Sequence, residues 1–451
     1  MKRILIVLLI FPILTYGQEM RQIDFSEYEL DNGLDVILHQ DNSTPIVAVS
    51  VMYHVGSKNE ESNRTGFAHF FEHLMFEGSE NIDRGEFMNI VQAAGGAFNA
   101  NTTQDRTYYY EILPSNQLEL GLYLESERML HAKVDSTGIE TQREVVKEEK
   151  RQRYDNQPYM SFSFEIFSRA FQDHPYQWTP IGSLDDLNAA SYEDFEQFYE
   201  TFYVPNNATL VIAGDIDIDE TKKLVSDYFS EIPKGKTSIP RPELKKHALE
   251  EEIRDIIYDN IQLPAVFQAY HMSEVGSEDY YALEMLTTLL SGGASSRLYK
   301  KLVDKQQKAV QVVAFPYGLE DAGLFINLAI ANMGVDPETL EESINDEIET
   351  VKNELISERE FEKIRNQVKS QFVQSNATMA GIASSLATYD VLYGDANLIN
   401  TEIEKYMQVT REDIKKVANK YLKKDNRVVL YYLPKSAQNE SEDSEQPGKD
   451  G

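Results

Sequence analysis

Gly66-Phe-Ala-His69-Phe-Phe-Glu72-His73-Leu-Met-Phe-Glu-Gly78 is the stretch from which the rest of the chain is read. On a helix, His69 and His73 stand one turn apart with Glu72 between them, so all three share a face. Two imidazoles so placed can hold one zinc ion, and the intervening carboxylate can reach a water beside it. The pattern H-x-x-E-H is the inverted form of the H-E-x-x-H zinc signature. Phe67, Phe70, Phe71, Leu74, Met75 and Phe76 surround it, which predicts a helix buried nearly all round.

A zinc ion needs a third protein ligand, and composition narrows the choice. The chain has 451 residues, eight histidines and no cysteine. It therefore has no disulfide framework, no thiolate nucleophile and no Cys-ligated metal, so any metal is held by His and carboxylate. Residues 136 to 154 read as a helix that carries Glu144, Glu148 and Glu149. Glu149 lies three and four residues after Val146 and Val145, on the face predicted to turn inward, which makes it the better candidate. Glu148 shares only Val145 and neighbours the charged Glu144.

Length predicts two to three domains. A net charge of −32 argues against nucleic acid or an anionic membrane as partner. Lys2 and Arg3 precede an apolar run, Ile4 to Leu14, and then Thr15-Tyr16-Gly17. This reads as a cleaved secretory leader over 1–17, too short to span a bilayer. No later stretch spans one, which places the mature chain in the periplasm or outside the cell.

Asn32-Gly33 between Tyr28-Glu-Leu30 and Leu34-Asp-Val-Ile-Leu38 predicts a hairpin. Ile46 to Tyr53 and Thr107 to Leu113 read as strands, and a second helix is expected near Arg84 to Ala94. A linker rich in Pro, Lys and Ser marks a boundary, giving an N-terminal domain over 18–235, a linker over 236–248 and a C-terminal domain over 249–435. The acidic tail, 436–451, is expected to be disordered. Beyond the linker a pattern recurs 219 positions later: Glu193-Asp194-Phe195 meets Glu412-Asp413-Ile414, and Leu210-Val211 meets Val429-Leu430. Two copies of one fold follow, the second without the zinc motif. Tyr270, His271 and Gly292-Gly293 read as core packing and an ordinary turn, with the lining of a binding chamber as the alternative.

With these features together, the sequence resembles the pitrilysin family of inverzincin metallopeptidases, in its short bacterial form related to the mitochondrial processing peptidase subunits. The resemblance runs from about Phe25 to Pro434. His69 and His73 match the family's zinc histidines, Glu72 its catalytic base, and Glu149 the position of its third ligand. Gly95-Gly96-x-x-Asn99-Ala100 matches the strand that pairs with substrate, which implies substrate contacts at Phe98, Asn99, Ala100, Asn101 and Thr102. His174-Pro-Tyr and Tyr203-x-Pro-Asn-Asn207 are further family landmarks.

The resemblance implies an α+β fold of two similar α/β-roll domains, two such chains closing into a clam-like chamber. It also implies one zinc per chain and endoproteolysis of peptides or unfolded segments. Two departures stand out. The position seven residues before the third ligand, often Glu in the family, is Gln142. The family's substrate-contacting Arg and Tyr of the second domain fall on Val303 and Val310. A heterodimer with a related chain that lacks zinc is therefore expected, a homodimer being the alternative. The competing function is that of a non-catalytic peptide-binding or assembly subunit.

Overall fold

The structure, a computed structural model, describes residues 22–235, 238–242 and 249–438. The leader, residues 236–237 and 243–248 of the linker, and the tail after Gln438 lie outside the described residues; residues 435–438 form a helical turn. The architecture is α+β, built on two separate sheets.

The first sheet has the order β1-β2-β6-β3-β5-β4. Its strands are β1 (Ser26–Glu29), β2 (Asp35–Gln40), β3 (Ile46–Tyr53), β4 (Ala97–Thr102), β5 (Thr107–Pro114) and β6 (Ala208–Gly214). The predicted hairpin joins β1 to β2. Gly33 takes φ +85° there, and a Cβ would stand 2.8 Å from the Cβ of Asn206, so glycine is required twice over. The second sheet has the order β7-β11-β8-β10-β9. It consists of β7 (Ile253–Asp259), β8 (Ala265–Met272), β9 (Ala309–Gly318), β10 (Gly323–Ala331) and β11 (Arg427–Pro434). β6 beside β2 and β11 beside β7 are parallel, and the other pairs are antiparallel.

The helices between Phe67 and Phe229 are α1 (Phe67–Leu74), α2 (Glu86–Ala93), α3 (Leu118–His131), α4 (Ser136–Lys150), α5 (Phe162–Ala170), α6 (Leu184–Ala189), α7 (Tyr192–Phe202) and α8 (Ile218–Phe229). Those of the C-terminal half are α9 (Glu278–Ser291), α10 (Pro337–Asn353), α11 (Glu358–Ser375), α12 (Met379–Tyr393), α13 (Leu398–Gln408) and α14 (Arg411–Tyr421). Shared topology makes the duplication explicit. β3 begins at Ile46 and β8 at Ala265, 219 positions later, the offset already seen between the two halves of the sequence.

β3 and β8 are buried along nearly their whole length, and apolar but for Ser50, Gln268 and His271, because both faces of each sheet are covered. Inner faces pack on the helices of their own half: Val49 and Val51 meet Phe67, Phe70 and Phe71, while Val266 and Tyr270 meet Leu286 and Ile344. The outer faces are covered crosswise. Ile166, Phe167 and Ala170 of α5 lie against Phe267, Ile326 and Leu430 of the second sheet. Ile382, Ala383 and Leu386 of α12 lie against Ala48, Met52 and Val211 of the first. Each fully buried Phe, Leu or Ile side chain stabilises by about 1.5–3 kcal/mol relative to exposure. Polar pins fix the arrangement: Thr209 donates to Asp390 at 2.6 Å, and His271 Nε2 meets the Ala170 carbonyl at 2.7 Å.

A further tie joins the β4–β5 turn to the β9–β10 turn. Buried Lys58 lies 3.1 Å from Asp105 and 2.9 Å from Asp321, and also pairs with Glu320. Tyr176 donates to Asp105 at 2.6 Å and to Asp321 at 3.0 Å. Burial opposes charge on Glu320, yet His54 and Lys58 hold its carboxyl down at about 2. The ammonium already satisfies this carboxylate group, so it reads as an interdomain clasp and not as a metal centre.

Candidate metal centre

α1 begins abruptly at Gly66, whose φ of +95° turns the chain into the helix. The exposed first-turn N–H groups are met by Glu60, which accepts from Gly66 at 2.9 Å and from Ala68 at 2.8 Å. Phe67 stacks on Phe195 at 4.6 Å between centroids, and Phe71 on Phe198 at 5.4 Å. This aromatic packing fixes the rotation of the helix. The expectation of burial all round is corrected here: His69, Glu72 and His73 form a half-buried polar stripe opposite the phenylalanines.

α4 brings Glu149 to that stripe. Glu149 Oε2 lies 3.0 Å from His73 Nε2 and 3.5 Å from His69 Nε2. Donors about 2.0–2.2 Å from one tetrahedral zinc stand roughly 3.3–3.6 Å apart, so this trio matches a shared ion in spacing and in chemistry. Glu144 and Glu148 face solvent, paired with Lys147 and Gln152. Val146 is fully buried, but Val145 is 43% exposed; the inward stripe runs through Ile139, Arg143, Val146 and Glu149.

The position of α4 has a local cause. Asp135 caps its first turn by accepting from Gly138 at 2.8 Å, and the same carboxylate takes two hydrogen bonds from Arg84. Arg84 and Gln142 both donate to Glu77, just beyond α1. Gln142 therefore ties α4 to the end of the histidine helix.

Electrostatics suit metal binding. Burial, with His73 beside it, drives His69 down to about 4, leaving a neutral imidazole near pH 7. Burial raises Glu149, but the hydrogen bond from His73 and the two imidazoles outweigh it and hold the carboxyl below its usual range. Its second oxygen pairs with Arg153 at 2.8 Å. Glu72 is raised, chiefly by burial, and accepts a hydrogen bond of 2.7 Å from Thr102 Oγ1.

β4 is the edge strand beside this centre. Thr103 N–H donates to Arg106 C=O at 2.9 Å across the hairpin. By antiparallel alternation, the backbone groups of Asn99 and Asn101 then face β5, while those of Phe98, Ala100 and Thr102 face the free edge. The side chains of Asn99 and Asn101 are exposed. Asn99 Oδ1 accepts from Ala100 N–H at 2.9 Å and blunts one edge group. Phe98 packs on Phe76 at 5.4 Å between centroids. Thr102, expected only on the strand, also steadies Glu72, and nothing in local sequence spacing signals that contact.

Tyr270 and His271 are buried in β8, as core packing predicts. Gly292, in contrast, lines a cavity. No helix among the described residues is long and apolar enough to cross a membrane.

Comparison with known proteins agrees with this architecture. Residues 35–181 match the family described as insulinase (peptidase family M16), and residues 189–368 match the peptidase M16 inactive domain. The chain is 31% identical over 408 residues to the zinc protease PqqE of Helicobacter pylori, covering 90% of this chain and 92% of that one. It is 24% identical to the uncharacterized zinc protease YmxG of Bacillus subtilis, covering 89% and 97%. A solved protease from Helicobacter pylori superposes with a TM-score of 0.88 at 30% identity, covering 92% of this chain and 100% of that one. The first half of the periplasmic protease PqqL from Escherichia coli shares the fold, with a TM-score of 0.74 at 20% identity over 93% and 94% of the two chains. Matched across both halves by sequence and by fold, the chain belongs to peptidase family M16, the pitrilysin family that its motifs resemble.

Proposed function

We propose that the protein is a zinc-dependent metalloendopeptidase in which His69, His73 and Glu149 hold the ion and Glu72 is the general base. The observation that carries this reading is the convergence of two imidazole nitrogens on one oxygen of Glu149, with Glu72 on the same face of α1. When bound there, zinc supplies Lewis acidity, polarising a peptide carbonyl and lowering the pKa of water toward neutrality.

The chain's own groups do the rest. Glu72, held by Thr102, removes a proton from the attacking water and returns it to the leaving amine. The free edge of β4 at Phe98, Ala100 and Thr102 pairs with the backbone of an extended peptide, and Asn99 and Asn101 flank it. The zinc domain spans 18–235 and its counterpart 249–435. The leader over 1–17 sends the chain to the periplasm, the compartment named for PqqL. Val303 and Val310, where the family carries its contacting Arg and Tyr, support a two-chain enzyme whose partner supplies those groups. The match of residues 189–368 to an inactive domain leaves open the competing role, a peptide-binding subunit without turnover.

The deciding experiment is cleavage of a quenched fluorescent peptide by the mature chain, alone and mixed with a related chain that lacks the zinc motif. Activity abolished by a chelator and restored by zinc is expected. Bound zinc with no turnover in either mixture favours the non-catalytic subunit.

Thr102→Val tests the hydrogen bond to the base. Hydrogen bonds to charged groups contribute about 1.5–3 kcal/mol, so kcat is expected to fall about ten-fold or more with zinc content unchanged. An unchanged kcat would remove Thr102 from this role.

A further inference from the structure

Glu72 depends on Thr102, and Thr102 ends a strand that is held on one side only. The free edge of β4 adds no hydrogen bonds, so the placement of Thr102 is set by β5 and by the turn that follows, Thr103 to Arg106. At that turn the geometry of the base is either fixed or lost.

Part of the support comes from the N-terminal half. Thr103 Oγ1 accepts from the N–H groups of Asp105 and Arg106, both at 3.2 Å. Ser57 N–H donates to the Thr103 carbonyl at 3.2 Å, and Lys58 N–H to that of Gln104 at 2.9 Å. The two segments lie so close that a Cβ on Gly56 would stand 2.4 Å from the Gln104 carbonyl.

The other part comes from the C-terminal half. Gln104 and Asp105 are buried. Tyr317 Oη donates to Gln104 Oε1 at 3.1 Å, and Glu320 N–H donates to Asp105 Oδ2 at 2.9 Å. Asp105 Oδ1 accepts from Tyr176, whose ring packs in the cluster over the second sheet. Lys58 also leans on this half, because its ammonium lies among the carboxylates of Asp105, Glu320 and Asp321. His54 completes the set by meeting Glu320 at 2.9 Å. Groups buried this deeply cannot exchange a lost partner for water where they stand. When a partner is removed, the turn must move.

We propose that the β9–β10 turn of the C-terminal half is a positioning element for the base: Tyr317, Glu320 and Asp321 fix the β4–β5 turn, the turn fixes Thr102, and Thr102 orients Glu72. Resting on the reading of Glu72 as the general base, this role gives the half without the zinc motif a share in the chemistry. That share is made within one chain, and it is distinct from any group that a second chain supplies.

Tyr317→Phe combined with Asp321→Asn keeps both shapes and lies wholly in the C-terminal half. In the zinc-loaded protein this pair is expected to lower kcat about five-fold, the worth of one net hydrogen bond, with zinc content unchanged. In a Thr102→Val background the same pair should add no further loss, because the path to Glu72 is already cut. A loss by the same factor in both backgrounds, or no loss in the parent, would reduce the contact to fold stability and overturn the proposal. Tyr317→Phe alone removes one hydroxyl and spares the ion pairs, so it carries the test should the pair fail to fold.

A second measurement needs no turnover. The N–H groups of Asn101 and Thr103 bond across the hairpin. Their hydrogen exchange is expected to quicken about ten-fold in the variant, while exchange in α1 and α4 stays as in the parent. Unchanged exchange at Thr103 would overturn the proposal even in an active enzyme. Quickened exchange in a protein that binds zinc without turnover would sink the reading of Glu72 as base and still uphold the grip of the C-terminal half on Thr102.

Discussion

Glu72→Gln is expected to lower peptide turnover by about 10²–10⁴-fold, the usual contribution of a positioned general base, while zinc remains bound. Glu72 stands on the same face of α1 as the histidines, but it is His69, His73 and Glu149 whose donor atoms converge. Its carboxylate is instead held by Thr102 at 2.7 Å. A glutamine keeps the shape and can still accept that hydrogen bond through its amide oxygen, so the fold and the metal site should be undisturbed. What it cannot do is take a proton from water. Metal analysis and kcat measured on the same preparation separate the two effects. Turnover within ten-fold of the parent would show that another group is the base, and loss of zinc would show that Glu72 belongs to the ligand set.

Arg128→Met is expected to destabilise the fold by about 3–5 kcal/mol, the cost of removing one partner from a buried ion pair. The side chains of Arg128, Glu111 and Glu125 are all fully inaccessible to solvent. Arg128 donates to Glu125, to Glu111 at 3.3 Å and to the Met75 carbonyl at 3.4 Å. Its guanidinium also lies 4.5 Å from the ring centres of Phe87 and Tyr109 and 4.9 Å from that of Phe76. Burial, and Glu125 beside it, push the Glu111 carboxyl well up, so the arginine is what permits any negative charge here. Denaturant titration should show a lower midpoint with an unchanged slope. Adding Glu111→Gln and Glu125→Gln to Arg128→Met should recover part of the loss, because no charge is then left stranded. A single variant as stable as the parent would contradict the ion-pair account.

Features that depend on short-range periodicity were legible in the sequence. The spacing of His69, Glu72 and His73 implies a common helical face whatever surrounds it, and Asn32-Gly33 specifies its hairpin through local dihedral preference. The duplicated strands were visible because each must be apolar where it crosses the core. The inward face of α4 was legible only in part. Val145 and Val146 are chemically equivalent in a one-dimensional reading, and only the packing of α4 beside α1 decides that Val146 goes in and Val145 stays out. The bond from Thr102 to Glu72 and the clasp at Lys58 join residues distant in sequence. Their components, a threonine and a lysine, carry no local pattern that marks them as partners.

The crosswise cover of the two sheets bears on how such a chain can be made. When a ribosome has delivered Val211, the α12 residues destined to cover the first sheet, Leu386 among them, remain to be synthesised. At about 5–20 residues per second, that gap amounts to roughly 10–35 seconds, during which one whole face of a hydrophobic sheet has nothing to lie against. The second sheet has no such delay, since α5 emerges before any of its strands. The nascent protein is therefore lopsided in its vulnerability. A stall or a protease cut after the first half would leave an aggregation-prone fragment instead of a smaller working domain, and a chaperone is needed most over the interval between those two residues.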